Sequence, residues 1–291
     1  MIAVQNEYFC ENYSHTENCC IRLVLTGQSV DRLMAIARVC EQTATVLALP
    51  FDLSQTSEAG SLVQATVEKF GQVDVLVNNA GFGQMGPVEL LPLSTCKHQF
   101  EINFFAPLAL IQAVVPLMRS QGGGRIINIS SIAGRTAFPL GGIYSASKFA
   151  LEAISDSLRM ELEPFNIKVS VIEPGPVRTN FVAIAREKAL QAIPQPEKSR
   201  YGVVFEQLES LEQRLAKTTW TDAQVSAVIV RAMQAAHPRP RYVAAAGGAL
   251  PVYLLTSVLP RRWVDRFWQK FYGIDLLKPQ SQKSPRGSTL Q

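Results

Sequence analysis

From residue 21 onward the chain alternates short β-rich runs with helix-length amphipathic segments, and this alternation limits the fold more than any other feature. A repeated strand-then-helix order makes each strand return parallel to the one before, because the crossover helix packs back onto the sheet face. The candidate strands are RLVLT (22–26), TVLALPF (45–51), DVLVNN (74–79), RIINIS (125–130), KVSVIEP (168–174) and RYVAAA (241–246). Most are apolar throughout, as strands covered on both faces must be. Between them, Leu33, Ile36, Ala37 and Cys40 form one stripe in 31–41, and Val63, Val67 and Phe70 form another in 57–70. A longer helix starts near Ser145. There Leu151, Ile154, Leu158, Leu162 and Phe165 step by three or four, Glu152, Asp156, Arg159 and Glu163 fall off the stripe, and Pro164 lies near the end. The expectation is one doubly wound α/β domain.

The 291 residues are 47% hydrophobic, enough for a large core. The formal charge of +4 is spread thinly, without the basic block of a nucleic-acid tail, so no nucleic-acid partner is expected. Five cysteines show neither zinc-site spacing nor the density of a disulfide scaffold, which fits a reducing compartment and no metal. The first twenty residues are polar and lack a signal peptide's apolar core, and ALPVYLLTSVL near the end is too short to span a bilayer. The expected location is cytoplasmic, at most peripheral to a membrane.

Five motifs carry chemistry. VNNAG (77–81) follows the third visible strand, EIN (101–103) lies in the next helix, and NISS (128–131) ends the fourth strand. YSASK (144–148) opens the long helix, and PGPVRT (174–179) follows the fifth strand. In order, spacing and strand context, residues 21–245 resemble the short-chain dehydrogenase/reductase family. The resemblance implies a Rossmann-like sheet and an NAD(P)-dependent oxidoreductase, since no side chain can accept a hydride.

Tyr144 and Lys148 stand four apart on a helix and so share a face. A free phenol titrates near about 10, and a neighbouring ammonium favours the phenolate, so Tyr144 is the expected general acid or base and Lys148 its tuning partner. The resemblance implies that Ser131 holds the substrate oxygen and that Asn103 holds a water relaying protons to the lysine. It also implies cofactor contacts from Thr26, Asp52, Asn79, Ala80, Gly81, Pro174, Gly175, Val177 and Thr179, with Tyr144 and Lys148 added. Asp52 would contact adenine, although DLS also makes a good helix cap. Val177 and Thr179 would hold the carboxamide. No acid stands at Thr26-Gly27-Gln28 to repel a 2′-phosphate, so NADP is preferred over NAD.

RLVLTGQS matches the family's second strand rather than its first. The first strand and its glycine loop should therefore occupy residues 1–20, which contain no glycine, and both are expected to be absent or atypical, with MIAV as a stub at most. Without that loop the pyrophosphate has no evident helix N-terminus. Weak cofactor binding follows, and with it a second reading: a catalytically impaired relative from a damaged or mis-started gene, or a binding or scaffold protein.

The expected organisation is an atypical segment 1–20, a Rossmann domain 21–278 and a polar tail 279–291. Within the domain lie a substrate lid at 181–219 and C-terminal helices at 249–274. In PRRWVDRFWQKFYG, Trp263, Phe267, Trp268 and Phe271 interleave with Arg261, Arg262, Arg266 and Lys270. Such a helix suits a membrane surface, and equally a cover over the substrate pocket or a subunit contact. All of these favour a small apolar alcohol or ketone as substrate. The family resemblance adds a homo-oligomer and no catalytic metal.

Overall fold

The computed structural model describes residues 2–4, 21–207, 213–214 and 219–277. Seven parallel strands form one sheet: β1 Ile2–Val4, β2 Arg22–Gly27, β3 Thr45–Pro50, β4 Val75–Asn78, β5 Gly124–Ile129, β6 Ile167–Pro174 and β7 Arg241–Ala244, in the order β3-β2-β1-β4-β5-β6-β7. This is a Rossmann-like doubly wound sheet, and its order reverses between β1 and β4. At such a switch point the carboxyl ends of the strands leave a crevice for ligands.

The first strand is present. Ile2–Val4 pairs with Val24–Thr26 on one side, and Ile2 and Ala3 pair with Leu76 and Val77 on the other. Of the two expected outcomes, absent or atypical, the strand takes the second: it is a three-residue stub, which gives the inner edges of β2 and β4 a partner where it is most needed. The expected glycine loop falls within 5–20, outside the described residues, as does the polar tail 279–291.

Successive strand residues enter opposite core layers. Leu23, Leu25, Val77 and Ile127 pack with α1 (Val30–Cys40) and α8 (Asp222–Gln234) through Leu33, Ile36, Ile229 and Met233. Val24, Leu76 and Ile126 pack with α2 (Ala59–Phe70) and α4 (Ala106–Ser120) through Leu62, Leu110, Ile111 and Val114. The period of two that puts helices on both faces is therefore visible residue by residue. The stretch Leu93–Ser120, comprising α3 (Leu93–Phe100), a π-helical turn (Glu101–Phe105) and α4, is long and apolar enough to cross a membrane. Its Ile102, Ala106, Leu110 and Val114 are instead spent on this core.

Helix α5 (Gly142–Leu162) is fixed to the sheet by a buried polar chain. Asn78 Nδ2 donates to Asn128 Oδ1 at 2.8 Å, Asn128 Nδ2 donates to Ser155 Oγ at 2.8 Å, and Ser155 Oγ donates to the Leu151 carbonyl. Buried amides cost free energy unless paired, so the chain specifies the register of α5 against β4 and β5. Cys96, on α3, is a free thiol. Beyond β6 come α6 (Phe181–Ala192) and α7 (Gly202–Glu206). After β7 come α9 (Ala249–Tyr253), a second π-helical turn (Leu254–Val258) and α10 (Arg261–Tyr272).

Candidate active site

The carboxyl ends of β4, β5 and β6 and the start of α5 border a cavity of about 680 Å³. Asn79, Gly81, Ser131, Tyr144, Lys148, Pro174, Gly175, Val177 and Thr179 line it together. Four of the five motifs, separated by up to a hundred residues, thus meet in one place because parallel strands end at the same edge.

Ser131 lies just past β5 in extended conformation. Its Oγ accepts from Ala133 N at 3.1 Å and donates to the Pro174 carbonyl at 3.4 Å, which ties the β5 loop to the end of β6. Tyr144 is buried in the first turn of α5, with its ring 5.5 Å from that of Phe181 at the start of α6. Lys148 is buried one turn later, where Nζ donates to the Ile129 carbonyl at 2.8 Å. An ammonium has three donors, so this bond holds the head in place while leaving it further capacity.

Burial acts on both groups and opposes the expected lowering of the phenol. Desolvation pushes Tyr144 up to about 12 against a weaker pull from a Ser131 hydrogen bond. Desolvation also brings Lys148 down to about 8, with the Glu152 carboxylate acting in the other direction. For the phenol, withdrawal from water outweighs the Ser131 hydrogen bond.

Asn103 does not line the cavity. It sits fully buried in the π-helical turn, accepting from Phe82 N at 3.2 Å and donating to Phe82 O at 3.0 Å and Ser147 Oγ at 3.2 Å. A single π-turn displaces one residue from the α-helical ladder, and here that residue clamps the loop after β4. A Cβ on Gly81 would stand 3.2 Å from Asn103 Oδ1 and 3.5 Å from Lys148 Nζ, so the glycine lets this backbone pass close to both.

Thr26 and Asp52 also stand apart from the cavity, at the ends of β2 and β3, and Ala80 does not line it either. Thr26 is fully buried, and among the described residues its Oγ1 has no hydrogen-bond partner. Asp52 Oδ1 accepts from Ser54 N and Ser54 Oγ at 2.9 and 2.8 Å and from Gln28 Nε2 at 2.6 Å. These bonds, Ser54's backbone first, hold the carboxyl below its ordinary range. The carboxylate thus closes its own turn, as DLS suggests, and also fixes the Gln28 side chain just past β2.

The donors at the cavity suit the nicotinamide half of a dinucleotide: the Lys148 ammonium, the Asn79 amide, the Thr179 hydroxyl and the bare backbone at Gly81. The remainder of the cavity is mostly apolar, with Thr136, Arg186 and Asp222 among its other polar groups. Phe138, Leu140, Val182, Ala185, Phe205 and Trp268 give it a greasy wall contributed by the β5 loop, α6, α7 and α10.

Sequence reading missed the ion cluster behind Lys148. Glu152, which falls off the apolar stripe of α5 and so reads as solvent-facing, is buried. Arg241 at the start of β7 pairs with Glu152, with Asp156 and, at 3.0 Å, with the fully buried Glu173, which also takes Arg135 at 3.1 Å. Burial pushes the Glu152 carboxyl upward, and Ser130 and Arg241 counter it. Its spacing of four from Lys148 is the only signal the sequence held.

A family model described as short chain dehydrogenase matches residues 15–190. The "Probable short-chain type dehydrogenase/reductase VdlC" of Helicobacter pylori is 33% identical over 253 residues, covering 86% of this chain and 91% of that protein. The 3-ketodihydrosphingosine reductase of Bacteroides thetaiotaomicron is 40% identical over 141 residues, which is 48% of this chain and 52% of that protein. A crystal structure of a short chain dehydrogenase/reductase from Burkholderia phymatum in complex with NAD matches with a TM-score of 0.74, at 21% identity, over 97% of this chain and 96% of that one. At that identity the likeness concerns the fold.

Proposed function

The chain belongs to the short-chain dehydrogenase/reductase family of oxidoreductases, and from that membership we propose that it interconverts an apolar alcohol and its ketone or aldehyde with NAD(P). The observation that carries this reading is the meeting of Ser131, Tyr144 and Lys148 in one mostly apolar cavity. When bound, the nicotinamide supplies or accepts the hydride. The protein's part is to place the carbonyl and handle the proton. Ser131 Oγ–H holds the substrate oxygen, and Tyr144 O–H donates to it as negative charge develops, or takes the proton back in alcohol oxidation. Lys148, beside the phenol, favours the phenolate left behind. Asn103 keeps the loop through Phe82 in position and thereby Asn79–Gly81 against the cofactor, while Pro174, Gly175, Val177 and Thr179 present its carboxamide side.

NADP is the preferred cofactor in this reading. Gln28, hydrogen-bonded to Asp52, puts an amide where an acid would select the free 2′-hydroxyl. Exposed Phe105, Phe149 and Met160, on the π-turn and α5, are apolar groups that a homo-oligomer would cover. The impaired-relative reading is not favoured: nothing in the constellation of Ser131, Tyr144 and Lys148 is lost.

The test is oxidation of NADPH by the purified chain with a long-chain methyl ketone, followed across pH. Lys148 has its folded-state pKa near 8, below its ordinary 10.5, so it is cationic below that value and neutral above it. The kcat/KM for reduction is expected to fall as pH rises through about 8. Glu152→Gln removes the charge that raises Lys148 and shifts this limb to lower pH. A flat profile from neutral pH to beyond the limb would remove Lys148 from the proton chemistry.

A further inference from the structure

The segment 249–272 has two faces. Pro251, Val252, Leu255, Phe267, Trp268 and Phe271 line the cavity. On the outside, Leu250 is 65% exposed, Tyr253 58%, Val258 54% and Trp263 64%. Scattered apolar residues on a surface are ordinary, whereas four large apolar side chains exposed along one short segment mark an interaction face. Phe267 belongs to both faces: it is 49% exposed and lines the cavity, so it marks a mouth that opens onto the apolar face.

The charges around this face select its occupant. Arg261, Arg262, Arg266 and Lys270 are exposed on α10, and Asp265 is the one acid between residues 249 and 272. Most of the aromatic face of α10 is turned to the cavity, but Trp263 and half-exposed Phe267 stand outside among these four cations, an arrangement that matches the interfacial zone of a bilayer with anionic headgroups, where aromatic rings sit at headgroup depth and arginines meet phosphates. A second copy of this basic chain would bring like charges together. We propose that Leu250, Tyr253, Val258 and Trp263 dock this protein on an anionic lipid surface, so that the cavity is loaded with its apolar substrate from the bilayer through the mouth at Phe267. The loading step rests on the oxidoreductase reading above, while the docking stands on the surface alone.

The full chain is sedimented with vesicles of phosphatidylcholine alone and of phosphatidylcholine with phosphatidylserine. It is expected to pellet with the anionic vesicles, to be released by high salt, and to partition far less onto the neutral ones. Arg261→Glu with Arg262→Glu should weaken anionic-vesicle partition by at least about tenfold. Leu250→Ser with Trp263→Ser should weaken partition onto both vesicle types. These substitutions lie outside the cavity lining, so NADPH oxidation with a small water-soluble ketone should stay at the wild-type rate. With a long-chain ketone dissolved in anionic vesicles, the rate should fall in parallel with partition.

Wild-type protein left in the supernatant at low salt overturns the docking. So does a dimer that the Leu250 and Trp263 substitutions dissociate, since a second copy then covers the face. Docking with an undiminished vesicle-ketone rate in the variants overturns loading from the bilayer. Docking without turnover of either ketone supports the surface and removes the oxidoreductase reading.

Discussion

Tyr144→Phe is expected to lower carbonyl reduction by about 10²–10⁴-fold with the fold unchanged. The ring keeps its place in the first turn of α5 and its contact with Phe181, so packing is conserved and only the hydroxyl is lost. In this account that hydroxyl is the proton donor to the substrate oxygen. Ser131 can still hold the oxygen, and the apolar wall still binds the rest of the substrate, so the loss falls on kcat and leaves KM nearly as it was. Circular dichroism and cofactor titration of the variant provide the controls. A variant retaining a tenth or more of the wild-type rate would assign the proton to another group.

The second large effect is on stability. Arg241→Ala removes the cation that faces Glu152, Asp156 and Glu173. Glu173 keeps Arg135 and Asp156 keeps Arg159, so the buried Glu152 loses its paired cation and keeps only its longer-range attraction to Lys148. Breaking a buried pair from one side costs about 3–5 kcal/mol, and the remaining partners place this case near 3. For a domain of this size that lowers the melting temperature by about 6–12 °C. Adding Glu152→Gln should recover part of the loss, because a neutral amide has less need of the cation. If the single variant melts with wild type, the cluster is a solvated surface array rather than a buried one. Its position also gives it a role at the site: Glu152 is the carboxylate that works against the lowering of Lys148.

The sheet was legible because buried parallel strands have to be apolar throughout, and all six runs recognised in the sequence are strands. β1 was legible only as a stub, because three residues are too few to show a pattern, and pairing with β2 and β4 is what identifies Ile2–Val4 as a strand. The cavity-lining part of the candidate site was legible for a different reason. Ser131, Tyr144 and Lys148 follow strand ends or open a helix, where the parallel topology brings them together whatever the intervening sequence. Asn103 was found as a motif residue, but its position, clamped to Phe82 from a π-turn, depends on a helix defect without a local sequence signature. Glu152 was misread because periodicity assigns a polar residue off the stripe to solvent. Here α5 is covered on a second side by β6, β7 and the loop after β5, and Arg241, eighty-nine residues away, is what makes its burial tolerable.

The account stands most directly on cofactor binding by the folded chain. Fluorescence titration with NADPH and NADH should show saturable binding that favours NADPH, weaker than in a family member with an intact glycine loop because residues 5–20 hold no glycine. The bound coenzyme should then be oxidised on addition of an apolar ketone. A protein that melts cooperatively yet binds neither coenzyme would contradict it, leaving Tyr144, Lys148 and Ser131 as a catalytic face with no hydride to use.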